Sequence, residues 1–373
     1  MSTQSTCTQT ARLPKLVPVT QRFSDEQIPD LSAALHAQFQ RQEVSAIIRP
    51  GQSVALLLGP SPAVQLVSVL QAVSAELLAL GATSYLVPFA GVAASAIAQS
   101  GLPVRNLQAL EQADHILPIA QIRAHDVCHG SYEHGLCEAL CCGFDWAAFD
   151  GNPSEASHAL QTEAAAALDR LPVGVALALV ENAYHHLHTV ELIHAADILA
   201  REPELLQRSK SLMPRLYFDK LDILAVGQIG QDISEFGLDP NVTGRTFGLL
   251  APRVDTGTDI TRIVAERLSD GSHGNAAGVG NCDFIPQSLY QQIDMQATAA
   301  TILSNNRPEI ARIPMIAKDL DAALQAAFQT CFVQDPAEVK MARIADTRHL
   351  EQIEISENLL PYCLANPDKF IVA

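Results

Sequence analysis

Asp232, Asp239, Asn241, Thr243 and Arg245 fall in one glycine-punctuated loop, QIGQDISEFGLDPNVTGR, directly after the apolar run Ile223-Leu224-Ala225-Val226. Carboxylates, an amide and a guanidinium at the end of a buried-type strand are what an α/β protein uses to hold a polar ligand. A second loop, Ser272–Gly280, follows another apolar run and reads SHGNAAGVG. Its Gly274 and Gly278 would let backbone amides approach a ligand closely, and His273 and Asn275 supply polar side chains. The alternative for both loops is a pair of well-capped turns. A third group is the run His125, Cys128, His129, His134, Cys137, Cys141 and Cys142. Thiolate and imidazole donors suit Zn²⁺ or Cu⁺, and on a helix Cys137 and Cys141 share one face. The same spacing also describes a buried helix stripe of Leu136, Cys137, Leu140 and Cys141. His185, His186, His188 and His194 form a looser group that reads as surface features with some pH sensitivity near neutrality.

The elements that must carry these residues alternate. Val54–Gly59 is a buried-type strand, an Ala/Leu/Val-rich helix runs to Leu80, Gly81 stops it, and Ser84–Val87 is the next strand. Strand, helix and strand in so short a span make a βαβ unit and hence a parallel sheet. Further strands are predicted at 115–119, 174–180, 223–226, 261–268, 313–317, 341–344 and 352–355. Helices are predicted at 156–170, 189–210, 288–305, 319–329 and 356–365. The fold class is α/β: two α/β domains with mainly parallel sheets and an interdomain cleft as the natural ligand site. Residues 1–20 read as a flexible arm, 21–212 as the N-terminal domain and 213–373 as the C-terminal domain. The break falls near Met213-Pro214, after a charged helix.

The 373 residues are 48% hydrophobic and 17% charged, enough for two full cores. A net charge of −17 argues against nucleic acid and anionic membrane surfaces as partners. Met1–Thr10 lacks a secretory pattern, and no stretch approaches the ~20 apolar residues that span a bilayer. Eight cysteines, four of them clustered, do not make a disulfide scaffold. A reduced, cytoplasmic protein is expected. The expected partner is a small anionic substrate or ligand, with a homo-oligomer left open.

Three segments together, IGQDISEFGLDPNVTGR, SHGNAAGVGNCDF and Ala178–Tyr184 (ALVENAY), resemble the lactate racemase superfamily, and more narrowly its nickel-pincer-nucleotide isomerases. The resemblance runs from about residue 50 to the end of the chain and is closest from Val173 onward. It implies two α/β domains and racemisation or epimerisation of small 2-hydroxy acids by reversible hydride transfer. In that family a nickel ion in a sulfur-bearing pyridinium nucleotide carries the hydride, and histidines act as acid and base. Carried onto this chain, His125 and His273 become the acid/base candidates. Arg123 or Arg245 would bind a carboxylate in fork geometry, and Asn241 and Asn275 would orient the ligand. Glu181, Asn182 and Asp239 join the same substrate-binding set, and Gly274 and Gly278 the cofactor-binding one.

The chain departs from the family where the nucleotide is attached. The subgroup reads approximately R-V-K-P-H and then E-S-G-L-L-K, where this sequence has Gln121-Ile122-Arg123-Ala124-His125 and then Glu133-His134-Gly135-Leu136-Cys137-Glu138. The tethering lysine is therefore Glu138, which has no amine to capture the cofactor and would repel an anionic nucleotide. The nickel-ligand histidine falls on Ser154, with His158 one helical turn beyond as a substitute. A basic residue of the family falls near Ser61-Pro62, and its G-S-H loop becomes Ala90-Gly91-Val92-Ala93. Three functions stay open. One is an isomerase holding the nickel-pincer nucleotide non-covalently, and another a non-catalytic ligand-binding homologue (a pseudoenzyme). The third is a metal-dependent enzyme with zinc or copper on Cys137 and Cys141.

Overall fold

The structure, a computed structural model, describes residues 13–60, 64–88, 94–149, 152–245, 256–304 and 308–372. Ser61-Pro62 and Ala90–Ala93, where two of the family's basic or polar positions fall, lie outside the described residues. In chain order the strands are β1 (Leu16–Gln21), β2 (Ser53–Leu58), β3 (Thr83–Val87), β4 (His115–Gln121), β5 (Val175–Glu181), β6 (Leu187–His194) and β7 (Lys220–Ile229). They continue as β8 (Asp259–Leu268), β9 (Phe284–Pro286), β10 (Met315–Ala317), β11 (Met341–Ile344), β12 (Gln352–Ser356) and β13 (Phe370–Val372). The chain forms two compact units, Ser24–Met213 and the residues up to Phe23 together with Pro214–Ala373. Each is a mixed α/β unit on a mainly parallel sheet.

In the Ser24–Met213 unit the strand order is β3-β2-β4-β5-β6, parallel except for the antiparallel edge strand β6. Val54, Leu56 and Leu58 of β2 pack into one buried cluster and Ala55 and Leu57 into another. A strand covered on both faces must be apolar throughout, which is why β2 reads as a continuous hydrophobic run rather than an alternation. The chain passes from β2 outward to β3 and then back across β2 to β4. The carboxyl ends of β2 and β4 therefore flank a topological switch point, where such sheets open a crevice.

The second sheet has the order β10-β9-β8-β7-β11-β12-β1-β13, parallel from β10 to β11 and antiparallel beyond. Its switch point lies between β7 and β11. The expected loose arm ends earlier than residue 20, because Leu16–Gln21 is a strand held between β12 and β13. Val19 is buried there, and the buried Gln21 amide donates to the carbonyl oxygens of Leu350 (2.7 Å) and Arg215 (3.2 Å).

Two predicted helices are redrawn. Residues 187–194 are strand rather than helix, and the helix begins only at Ile198. β-Branched Thr189, Val190 and Ile193 fit a half-buried strand, and the ladder offered by β5 decides the matter. The single helix predicted over 288–305 is two, Gln287–Tyr290 and Met295–Ser304. Asp294 interrupts them and caps the second, accepting from the N–H groups of Gln296 (2.8 Å) and Ala297 (3.1 Å). Among the described residues no helix is long and apolar enough to cross a membrane.

Candidate functional site

The loop that leaves β4 at the first switch point carries a dense group of buried polar side chains, among them His125, Asp126, Glu133, His134 and Glu138. It folds back on itself: the Arg123 N–H donates to the His134 carbonyl (3.1 Å) in an isolated antiparallel bridge, setting these two residues side by side. Glu133, fully buried, organises the loop from inside. Its carboxylate accepts from the N–H groups of His125 (2.7 Å) and Gly130 (2.9 Å) and from Lys210 Nζ (2.5 Å). Burial alone would raise its pKa, but the His129 and Lys210 contacts hold it below the usual carboxylate value.

From Glu133 the chain enters the short helix Leu136–Cys141, and Glu138 stands in its first turn. Its carboxylate is 5% exposed and engaged at both oxygens. His134 Nδ1 lies 2.8 Å from Oε2, and Trp146 Nε1 donates to Oε1 at 2.6 Å. Burial pushes the Glu138 pKa up, but His134, Trp146 and the nearby Arg123 charge more than reverse it, so the group is held ionised. The His134 ring stacks on His125 with centroids 4.5 Å apart, and Trp146 lies against His125 at 4.4 Å.

The hydrogen bonds assign the two rings opposite tautomers. His125 Nδ1 accepts from the N–H groups of Val127 (2.9 Å) and Cys128 (3.0 Å), so in the neutral ring its proton sits on Nε2. In its neutral form His134 directs its Nδ1–H at Glu138, which leaves the lone pair on Nε2. That Nε2 is buried and has no hydrogen-bond partner among the described residues.

A third carboxyl group, Glu202 of the helix Ile198–Leu212, closes this group from behind. It accepts from the Cys137 N–H (2.9 Å), while its Oε1 is buried without a partner. A Cβ at residue 135 would come within 2.6 Å of that oxygen, so a larger residue there would displace the Glu202 carboxyl group. Burial raises the Glu202 pKa to about 7; the Cys137 hydrogen bonds oppose this, and the Glu138 charge adds to it.

The cysteines of this helix are held as thiols. Burial, helped by Glu202, pushes the Cys137 thiol well above its usual range, and burial likewise takes Cys141 to about 12. Thiols held protonated are poor metal ligands and poor nucleophiles. His158 is exposed on the helix Pro153–Arg170. Among the described residues no three His, Cys, Asp or Glu side chains converge as a metal site. The expected set of Cys137, Cys141 and His158 is thus not assembled, because the helix turns its cysteines into the core.

Glu181 and Asn182 end β5 and are taken up by the scaffold. Glu181 accepts from the Val64 N–H (2.7 Å) and from Gln121 Nε2 (3.0 Å). The Asn182 Oδ1 accepts from the N–H groups of Tyr184 (3.0 Å) and His186 (3.1 Å) and so shapes the β5–β6 turn. His185 in that turn has a positive φ of 59°.

In the second unit the loops after β7 and β8 are built mostly by their own contacts. Asp239 caps the one-turn helix Pro240–Thr243, bonding the Asn241 N–H at 2.8 Å, and Gly244 closes it in the left-handed region. The Arg245 guanidinium, expected as a carboxylate fork, instead donates to Asp283 (2.6 Å), the Asn281 carbonyl (3.2 Å) and the Thr261 carbonyl (2.8 Å). Asn275 accepts from the Ala277 N–H (3.1 Å) and donates to Thr301 Oγ1 (2.7 Å). His273 is exposed, with a φ of 49°. A Cβ on Gly274 would meet Asp294 Cβ at 3.0 Å, and one on Gly278 would sit 1.6 Å from the Phe236 carbonyl oxygen. The glycines expected to admit a ligand therefore admit neighbouring protein.

Sequence reading placed His134 among the histidines and cysteines of this stretch but missed its pairing with Glu138, and it missed Trp146, Glu202 and Lys210 as members of the group. It also missed Asp346, which sits at the β7–β11 switch point. Asp346 accepts from Gln228 Nε2 (2.9 Å) and from His349 Nδ1 (2.8 Å), and Thr347 Oγ1 accepts from the Asp239 N–H (3.0 Å). The His134/Glu138 spacing of four residues was a readable signal, as was the chain's one tryptophan. A cavity of about 620 Å³ near Pro14, Lys15, Pro336 and Asn358 offers, among the residues that line it, only the exposed Lys15–Glu357 pair as ionisable chemistry.

No protein-family model matches the chain, and no curated protein matches it. Among solved structures it is similar to the lactate racemase apoprotein from Thermoanaerobacterium thermosaccharolyticum, at a TM-score of 0.47 and 12% identity over 90% of this chain and 99% of that one. This is a distant structural likeness, too weak to carry residue roles or activity.

Two outcomes follow from the geometry. Gly278→Ala combines a positive φ of 96° with a backbone clash, whereas Gly257 (φ 77°) has nothing within 4 Å of an added Cβ. Gly278→Ala should destabilise by roughly 3 kcal/mol or more and Gly257→Ala by about 1 kcal/mol, measured by urea unfolding. Equal losses would contradict the packing described. Glu202 titrates from 4.5 unfolded to about 7 folded, so its stabilising effect is complete below pH 4.5 and is lost as pH rises through 7. That difference corresponds to roughly 3 kcal/mol. Glu202→Gln should therefore gain stability relative to wild type between pH 5 and pH 8. A flat difference over that range would show that the carboxyl group does not titrate there.

Proposed function

We propose that this protein is a ligand-binding homologue of the lactate racemase superfamily that takes a small 2-hydroxy acid or related anion and carries no covalently attached nickel-pincer nucleotide. The observation that carries this reading is the environment of Glu138. At the position where the resemblance puts a tethering amine stands a buried carboxylate, held ionised, with both oxygens engaged by His134 and Trp146. Ser154, at the nickel-ligand position, and its substitute His158 are exposed on the helix Pro153–Arg170. These residues do not fit the nucleotide, and no hydride-transfer step is drawn through it. Support for the ligand class comes from the three sequence segments that resemble the superfamily.

The rival is an active isomerase with the nucleotide bound non-covalently, and one set of measurements separates the two. Freshly purified protein should show its unmodified intact mass, no stoichiometric nickel and no cofactor absorbance. D- or L-lactate, malate or gluconate at about 100 times Kd should stabilise it by roughly 2.7 kcal/mol, a shift of a few degrees in Tm. Neither lactate enantiomer should be racemised. A covalent adduct on any lysine, stoichiometric nickel or measurable racemisation would establish the rival. An unchanged Tm with every acid would end the binding reading.

A further inference from the structure

Three buried polar atoms around the β4 loop have no partner among the described residues: His129 Nε2, His134 Nε2 and Glu202 Oε1. Leaving such an atom unpaired costs about 1–3 kcal/mol, so each calls for an explanation. Glu202 has one of its own, since its pKa of about 7 lets it protonate. The His129 side chain is 29% exposed, close enough to solvent for its ring to adjust. His134 has neither outlet: its side chain is 6% exposed and its Nδ1 is fixed on Glu138, so the ring cannot turn without breaking that contact.

We infer that His134 Nε2 is the atom that accepts the hydroxyl hydrogen of the bound hydroxy acid, with Glu138 as the positioning residue that keeps the lone pair there. The inference rests on the binding reading above and adds to it the contact that distinguishes a hydroxy acid from a plain acid. The chemistry suits a neutral hydroxyl donor. A carboxylate bonded to Nδ1–H makes the opposite nitrogen a stronger acceptor, as in other carboxylate–histidine pairs. The Glu138 carboxylate bonded to the same ring disfavours an anionic group at Nε2 itself. The ligand carboxylate lies instead toward Arg123, whose side chain is 32% exposed, the other cation of the group, Lys210, being engaged by Glu133. His125 stacks on the His134 ring, and Trp146 meets it edge-on.

The test compares L-lactate with propionate, which lacks only the hydroxyl, by calorimetric titration of wild type, His134→Phe and His134→Gln. Wild type should prefer lactate by about tenfold. His134→Phe should lose that preference while keeping its affinity for propionate, and His134→Gln, whose carboxamide oxygen reaches toward the Nε2 position, should restore part of it. Circular dichroism establishes that each variant is folded. In ¹⁵N spectra of histidine-labelled wild type, His134 should show a protonated Nδ1 and an unprotonated Nε2 that shifts on adding lactate. Equal binding of the two acids by wild type, or an undiminished preference in His134→Phe, overturns the inference and leaves the binding reading intact; a buried water at Nε2 would give that result. A protonated Nε2 in the neutral ring overturns it by a route that needs no ligand. Failure of wild type to bind either acid removes the binding reading, and this inference with it.

Discussion

A carboxylate taken out of water must recover its solvation from donors on the protein, and at Glu138 those donors are two ring N–H groups. The arrangement of the β4 loop depends on that exchange. The bond to His134 fixes a tautomer, and the stacked His125 takes the opposite one from two backbone N–H groups. The bond to Trp146 brings an indole against the same pair of rings. Glu133, five residues earlier in the chain, does the equivalent work for the loop backbone, with Lys210 as its counter-charge. The third buried carboxyl, Glu202, has one oxygen without a partner among the described residues, and burial shifts it toward the neutral form. Three acids in one apolar surrounding thus fall into two ionised and one poised near neutrality, set by how many donors each can find.

The two parallel sheets were legible because buried strands announce themselves. Val54–Leu58 and Ile223–Val226 are apolar without interruption, and glycine or proline bounds them. Residues 187–194 were not, since Leu187, Val190 and Ile193 recur at a spacing compatible with a helix. Only the partner strand β5 makes the extended form better, and a partner is a tertiary fact. Leu16–Gln21 was hidden for a similar reason. Its lone Pro18 and polar ends suggest a loose segment, while the two strands that flank it come from the far end of the chain.

The ligand loops show why glycine is an ambiguous sign. Gly278 and Gly237 each press against the backbone of the other's loop: an added Cβ at 278 would meet the Phe236 carbonyl, and one at 237 would meet the Ala277 carbonyl at 2.6 Å. Close backbone approach, the property that makes glycine useful beside a phosphate, is used here between two protein segments. The DPNVTGR turn follows the same pattern, with Asp239 as cap and Arg245 as an internal clamp on Asp283 and the Thr261 carbonyl. Residue types chosen for chemistry on sequence grounds are, in this half of the chain, largely holding loops to one another.

The first unit differs because two of its side chains act as one structural pair. His134 and Glu138 stand four residues apart and in contact. Neither makes physical sense alone. A glutamate at 138 without the imidazole would be a buried charge with one ring donor fewer, and a histidine at 134 without the carboxylate would lose the acceptor that fixes its ring. The ionised acid at 138 and the fixed ring at 134 therefore have a single cause, the pairing of two side chains one helical turn apart.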